Sequence, residues 1–140
     1  MKVFVEDGAC VPSRAHSMDA GIDLRSVESK VVHAHGSAVF RTGVHVELPE
    51  DTAGLLVSKS GLNVKYGITS TGLIDEGFTG EIIVKLYNHS NSDYFVDEGD
   101  KISQLIVIPV IYEDVELMPD IGCFNLDTER GSAGYGSTGR

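Results

Sequence analysis

The sequence predicts an all-β protein of jelly-roll type, a β-barrel or sandwich with a C-terminal arm. Three observations predict it. Short runs rich in β-branched and aromatic residues recur along the chain, turn signals separate them, and no apolar period of 3.6 residues is sustained. In chain order the runs are Val3–Val5, Ala38–Arg41, Val44–Leu48, Gly54–Val57, Glu81–Tyr87 and Gln104–Ile108. Turn signals stand at Thr42-Gly43, Pro49-Glu50-Asp51, Asp75-Glu76-Gly77, Thr79-Gly80 and Glu98-Gly99-Asp100. The best helix candidate is one or two turns from Gly61 to Tyr66. There is no internal repeat and no low-complexity segment, so residues 1–129 are expected to form one domain, with residues 130–140 as a Gly-rich arm.

Composition narrows the function. A chain of 140 residues can bury roughly 70% of its unfolded surface, enough for a core. Mean hydropathy near zero and 41% hydrophobic residues fit a soluble protein. No apolar run approaches the length that spans a bilayer, and the first residues lack the apolar stretch of a signal peptide, so a cytoplasmic protein with no membrane partner is expected. The net charge of -10 argues against binding a nucleic-acid polymer. It leaves room for a small polyphosphate, which needs few local cations and can share a divalent metal. Cys10 and Cys123 form no metal-binding pair and are expected as buried or partly buried thiols. His33 and His35 are expected at the surface.

Five segments carry candidate chemistry. Ser17–Arg25 sets Asp19 and Asp23 around Ala-Gly-Ile, which reads either as turn chemistry or as part of a site. Ser58-Lys59-Ser60-Gly61-Leu62 runs from a strand end toward the helix candidate. It reads as a phosphate-binding helix start, where backbone N–H groups are joined by the Lys59 charge and the Ser60 hydroxyl, or as a Ser N-cap beside a solvated lysine. Gly72–Glu81 puts Asp75 near the tip of a hairpin, where it is a candidate general base or an ordinary turn residue, and Phe78 offers a stacking face or a hydrophobic anchor. Gly99–Leu105 leads into an apolar strand and offers Gln104 to a phosphate or a metal-bound water. The tail Arg130–Arg140 holds glycines that leave backbone N–H groups free, the hydroxyls of Ser137 and Thr138, a stacking face at Tyr135 and a guanidinium at Arg130. It reads as a disordered end or as a lid for a nucleotide.

In this order and spacing the five segments resemble the five motifs of the trimeric dUTPases, across about Ser13 to Arg140. The family pattern is roughly AG-x-DL, PRSGL, G-x-ID-x-x-Y-x-G, GDR-x-x-QL and RG-x-GGFGSTG. The resemblance implies a jelly-roll homotrimer with sites shared between subunits, each closed by a C-terminal arm. It implies hydrolysis of dUTP to dUMP and pyrophosphate with Mg²⁺ on the triphosphate, which keeps uracil out of DNA and supplies dUMP for thymidylate synthesis. Asp75 matches the family's base, which orients and deprotonates the water attacking the α-phosphorus. Lys59, Ser60, Gly61, Gln104, Arg130, Ser137 and Thr138 match phosphate-binding positions. Asp19 and Gln104 match positions that hold metal-bound waters, and Asp23 a position that orders the hydrogen-bond network. Gly72 and Ile83 match backbone positions that read uracil, Phe78 the ring on the deoxyribose, and Tyr135 the ring of the tail. Thr69 lies near an Asn that touches uracil in many members.

The departures are chemical. Lys59 stands for Arg and loses the bidentate fork, Ser58 stands for Pro, Lys101 for Arg, Phe78 for Tyr and Tyr135 for Phe. Two rivals are weighed. A dCTP deaminase shares the fold but needs a glutamate ten residues after the hairpin aspartate, and here that position is Lys85. A nucleotide-responsive regulatory protein would bind dUTP without turning it over.

Overall fold

The structure is a computed structural model and describes residues 1–133. It contains nine strands and one α-helix: β1 (Lys2–Val5), β2 (Ile22–Arg25), β3 (Lys30–Val32), β4 (Ser37–Glu47), β5 (Thr52–Val57), α1 (Ser60–Tyr66), β6 (Ile68–Ile74), β7 (Glu81–Asn88), β8 (Tyr94–Val96) and β9 (Lys101–Pro109), followed by a 3-10 turn at Ile121–Cys123. Seven strands make one antiparallel sheet in the order β1-β4-β7-β6-β5-β9-β2, and β3 and β8 pair separately. The sheet curls on itself, which gives the all-β jelly-roll architecture that the sequence predicts.

Burial follows the period of two. Along β7 the side chains of Ile82, Val84, Leu86 and Asn88 point inward, and the core adds Phe40, Leu24, Ile68, Ile102 and Leu105. Asn88 is buried because its amide donates to the carbonyls of Val32 and Ser92, so it pins the β3 end to the loop before β8.

Two expectations change. The Thr42-Gly43 signal does not end a strand, since β4 runs straight through it. The β4–β7 register shifts between Arg41 and His45, with Gly43 at φ 62°. A Cβ at Gly43 would come within 2.5 Å of the Ala9 Cβ, so the bulge is open to glycine alone. The buried Thr42 hydroxyl donates to the Ile82 carbonyl and caps the break. The cysteines also differ: Cys10 and Cys123 are both exposed, because each lies outside the sheet. His33 and His35 lie at the surface, bonded to Asp93 and Asn91.

Candidate active site

Three of the sequence segments meet at Asp23. This carboxylate on β2 is only 4% exposed. Its Oδ1 accepts from Lys59 Nζ at 2.5 Å and from Gln104 Nε2 at 3.3 Å, and its Oδ2 pairs with Lys101 Nζ at 2.7 Å. The β-ladders bring them together, for Asp23 lies opposite Gln104, and Gln104 lies opposite Val57, two residues before Lys59. Burial works to raise the Asp23 carboxyl. Hydrogen bonds from Lys101, Lys59 and Gln104, with the Lys59 charge, outweigh it and hold the group below the usual carboxylate range. Gly21 makes room for the arrangement, since a Cβ there would sit 2.9 Å from Gln104 Cδ.

A second, hydroxyl network ties the same end of the sheet. Ser58 Oγ accepts from the Ser70 amide and donates to its carbonyl, Ser70 and Ser103 share a 2.8 Å bond, and Ser103 donates to the Val57 carbonyl. Lys59, not a serine, occupies the N-cap of α1, and it makes no side-chain cap. Ser60 and Gly61 open the helix and are exposed, with open space around Gly61. In the loop before β2, Asp19 Oδ2 accepts from the amide and ring of His16.

The hairpin of β6 and β7 has an unusual shape. The two strands pair only at Ile68–Asn88, Thr69–Tyr87 and Ser70–Leu86. Beyond Ser70, β6 bonds to β5 through Thr71–Ile74, while β7 bonds to β4 through Lys85–Ile83. The strands splay, and the facing edges of Gly72 and Ile83 carry backbone donors and acceptors with no ladder partner across the gap. Leu73, Phe78 and Ile83 are exposed around this mouth. Phe78 is positioned by a turn in which its amide donates to the Asp75 carbonyl, and its ring lies over Gly80, where a Cβ would meet Cζ at 2.5 Å. Asp75 is exposed at the start of that turn. Thr69 lies instead at the closed end, with its hydroxyl bonded to His89 Nε2 at 2.8 Å.

These groups fall at two places within one chain. Lys59 follows the C-terminal end of β5, whereas Asp75 follows Ile74, which pairs with Gly54 near the other end. At the rise of a strand, about 20 Å of sheet separates them. Arg130 is exposed, and its Nε donates to the Ala133 carbonyl. Tyr135, Ser137 and Thr138 lie outside the described residues. Lys101, which the motifs mark only as a departure from Arg, is the second lysine partner of Asp23. Its signals in the sequence are a basic residue three before the apolar run and its place at the Arg of the fourth motif.

The donor set bears on magnesium. Among the described residues no three His, Cys, Asp or Glu groups cluster to cage a metal. Of the two residues expected to hold metal-bound waters, the Asp19 carboxylate is half-exposed and the Gln104 side chain is partly buried. Oxygen ligands without a cage fit a hydrated magnesium that arrives on a polyphosphate.

A jelly-roll chain whose splayed hairpin leaves main-chain groups without ladder partners, next to an exposed carboxylate, defines a class of all-β protein with a candidate ligand mouth. Comparison narrows the class. The sequence model of the dUTPase family matches residues 7–139. The deoxyuridine 5'-triphosphate nucleotidohydrolase of Clostridium acetobutylicum is 41% identical over 138 residues, covering 96% of this chain and 92% of that protein. The Candida albicans protein of the same name is 40% identical over 132 residues, covering 93% and 81%. Among solved structures, the dUTPase of Staphylococcus bacteriophage 80alpha with dUPNHPP superposes with a TM-score of 0.89 at 28% identity, covering 99% of this chain and 98% of that one. A variant dUTPase of phage phi11 of S. aureus, described with a structural Mg(II) ion, gives 0.78 at 28% identity and covers 86% and 97%. This chain belongs to the dUTPase family. The rival deaminase glutamate is absent, for Lys85 is exposed with its ammonium 5.0 Å from the Tyr87 ring centroid.

Proposed function

We propose that this chain is a dUTP diphosphatase acting in the cytoplasm, converting dUTP and water to dUMP and pyrophosphate, so that uracil stays out of DNA and dUMP is available for thymidylate synthesis. The observation that carries the reading is the splayed hairpin. Unpaired backbone groups at Gly72 and Ile83 read a pyrimidine edge, and Phe78 at the mouth covers the deoxyribose and leaves no room for a 2′-hydroxyl. Asp75 orients and deprotonates the water that attacks the α-phosphorus. The bond to the bridging oxygen breaks, and pyrophosphate leaves. Magnesium on the triphosphate neutralises charge on the phosphoryl oxygens. Asp19 and Gln104 would hold the waters of that ion. Ser60 and the Gly61 amide face the phosphates at the exposed start of α1. Lys59 contributes positive charge from its place on Asp23, which orders the network. Thr69 supports the base from the closed end of the hairpin. Positioning and charge supply most of the acceleration.

The active molecule is a homotrimer with sites shared between subunits. Two observations support this. Asp75 and Lys59 are too far apart in one chain to serve one triphosphate. The segment after β9 leaves Ile111, Val115 and Leu117 at 84%, 97% and 94% exposed, which suits burial against a neighbouring copy. Residues 1–129 form the β-domain. The arm, residues 130–140, closes the site with Arg130, Ser137 and Thr138 on the outer phosphates and Tyr135 over the base.

Pyrophosphate release from dUTP, dTTP, dCTP and UTP, each with magnesium and with chelator, tests the reading. Metal-dependent release from dUTP alone is expected. Tight binding of dUTP without release overturns it in favour of a nucleotide-responsive protein, and ammonia from dCTP would mark a deaminase.

A further inference from the structure

One cluster is centred on His45, outside the five segments, and reaches the hairpin. His45 on β4 places Nδ1 3.0 Å from the Thr79 carbonyl and Nε2 3.2 Å from Glu6 Oε1. Thr79 is the residue after Phe78, in the loop that starts at Asp75. A carbonyl and a carboxylate can only accept, so both ring nitrogens must donate for both contacts to hold. That is the state of the imidazolium and of neither neutral tautomer. The surroundings agree. Glu6 lies beyond the end of β1, Glu81 on β7 and Arg41 on β4. Arg41 Nη2 donates to Glu6 Oε2 at 2.7 Å, and its Nε donates to Glu81 Oε2 at 2.9 Å. Two carboxylates and one guanidinium leave a net negative charge that a protonated His45 cancels. The Phe4 ring, with its centroid 5.6 Å from that of His45, packs on the imidazole, and the Lys2–Glu47 pair lies beyond it in the same groove.

We propose that His45 is a positioning residue for the hairpin loop, a protonation-dependent latch that holds the Thr79 carbonyl and with it the Phe78 ring. The inference rests on the proposed dUTP site for its consequence, not for its geometry. The Thr79 carbonyl bond and the Glu6 carboxylate raise the imidazole above its ordinary range. The sign follows. A raised group keeps its contacts below its folded-state pKa and loses them as the pH rises through it. Above that point the neutral ring can satisfy one acceptor and turns a lone pair toward the other, so the loop and the sheet edge are held by one bond where they had two. On the opposite side the loop is tied independently, because Glu76 Oε2 accepts from the Asp51 amide and from the Tyr112 hydroxyl. Loss of the His45 latch therefore loosens the Phe78 side of the loop without releasing all of it.

The test is a pH titration of the full-length protein by NMR, joined to steady-state kinetics. The His45 ring signals should titrate above the ordinary histidine value, and the Phe78 and Thr79 amide signals should move with the same midpoint. Two variants separate the contacts. Asn at 45 keeps a donor near the Nδ1 position, and Gln keeps one near Nε2. His45→Asn should hold KM for dUTP near wild type and flatten its pH dependence, while His45→Gln should raise KM about fivefold with kcat little changed. A His45 midpoint at or below the ordinary value, amides that do not follow it, or equal KM in the two variants overturns the proposal. If wild type releases no pyrophosphate, the functional reading has failed, and the NMR titration still decides whether the latch exists.

Discussion

Replacing Asp23 by Asn removes the charge at the centre of the site while keeping its shape. Asp23 accepts two charge-assisted bonds, from Lys59 and Lys101, and a longer one from Gln104. Such bonds contribute about 1.5–3 kcal/mol each. The substitution returns part of that, because the carboxylate no longer has to be desolvated, and the lysines, 22% and 33% exposed, can turn to water. The balance is a loss of about 2 kcal/mol at neutral pH. Urea unfolding at fixed protomer concentration measures it as a lower midpoint with an unchanged slope. The pH dependence has a definite sign. The folded-state pKa of Asp23 is depressed, so its stabilisation is full above the unfolded value of about 3.9 and is lost as the pH falls through the folded one. The gap between wild type and variant should therefore close in acid. Lys59→Met should also cost much less in the Asn background than in wild type. Equal midpoints at pH 7, or a gap that does not shrink below about pH 4, would refute the assignment of Asp23 as a charged hub.

Asp75→Asn should bind dUTP as wild type does while pyrophosphate release falls at least about a hundredfold, and near-normal turnover would remove Asp75 from the role of base. Deleting residues 130–140 should cut turnover at least about tenfold with little change in melting temperature, because the bonds of Arg130 and Gly131 among the described residues are local; a truncated chain that unfolds would make the tail structural. Gly43→Ala should lower stability by about 2–4 kcal/mol in urea unfolding, since the φ of 62° and the Ala9 contact both oppose a Cβ, and a change under about 1 kcal/mol would mean the bulge relaxes.

The fold was legible where one rule governed one segment. β7 alternates Ile82, Val84 and Leu86 against Glu81, Ile83 and Lys85, and the pleat buries the first set. β6 is not legible, because Ile-Thr-Ser-Thr-Gly-Leu-Ile sets Ser70 and Gly72 at inward positions between its two isoleucines. Ser70 is buried only because Ser58, just after β5, and Ser103, on β9, satisfy it. β2 failed for a related reason: a four-residue strand with a carboxylate in it reads as a turn, and the lysines that neutralise Asp23 come from distant parts of the chain. β4 was divided in two because a bulge and a turn use the same glycine.

The candidate site divides along the same line. Its candidate residues follow from motif order, through the resemblance to the family. Its geometry does not, because distance along β5 is a property of the ladder. Asp75 and Lys59 flank the same pair of strands from opposite ends, so any loop that brought one to the other would have to cross about 20 Å of closed sheet. A rigid sheet does not fold back over that span, and a second copy with the same sheet can present its far end there at no conformational cost. The separation within one chain is thus itself a reason for the proposed assembly of copies. On the same grounds, the β-domain of a forced monomer should bind the uracil half of the substrate at the hairpin and fail to hold the triphosphate.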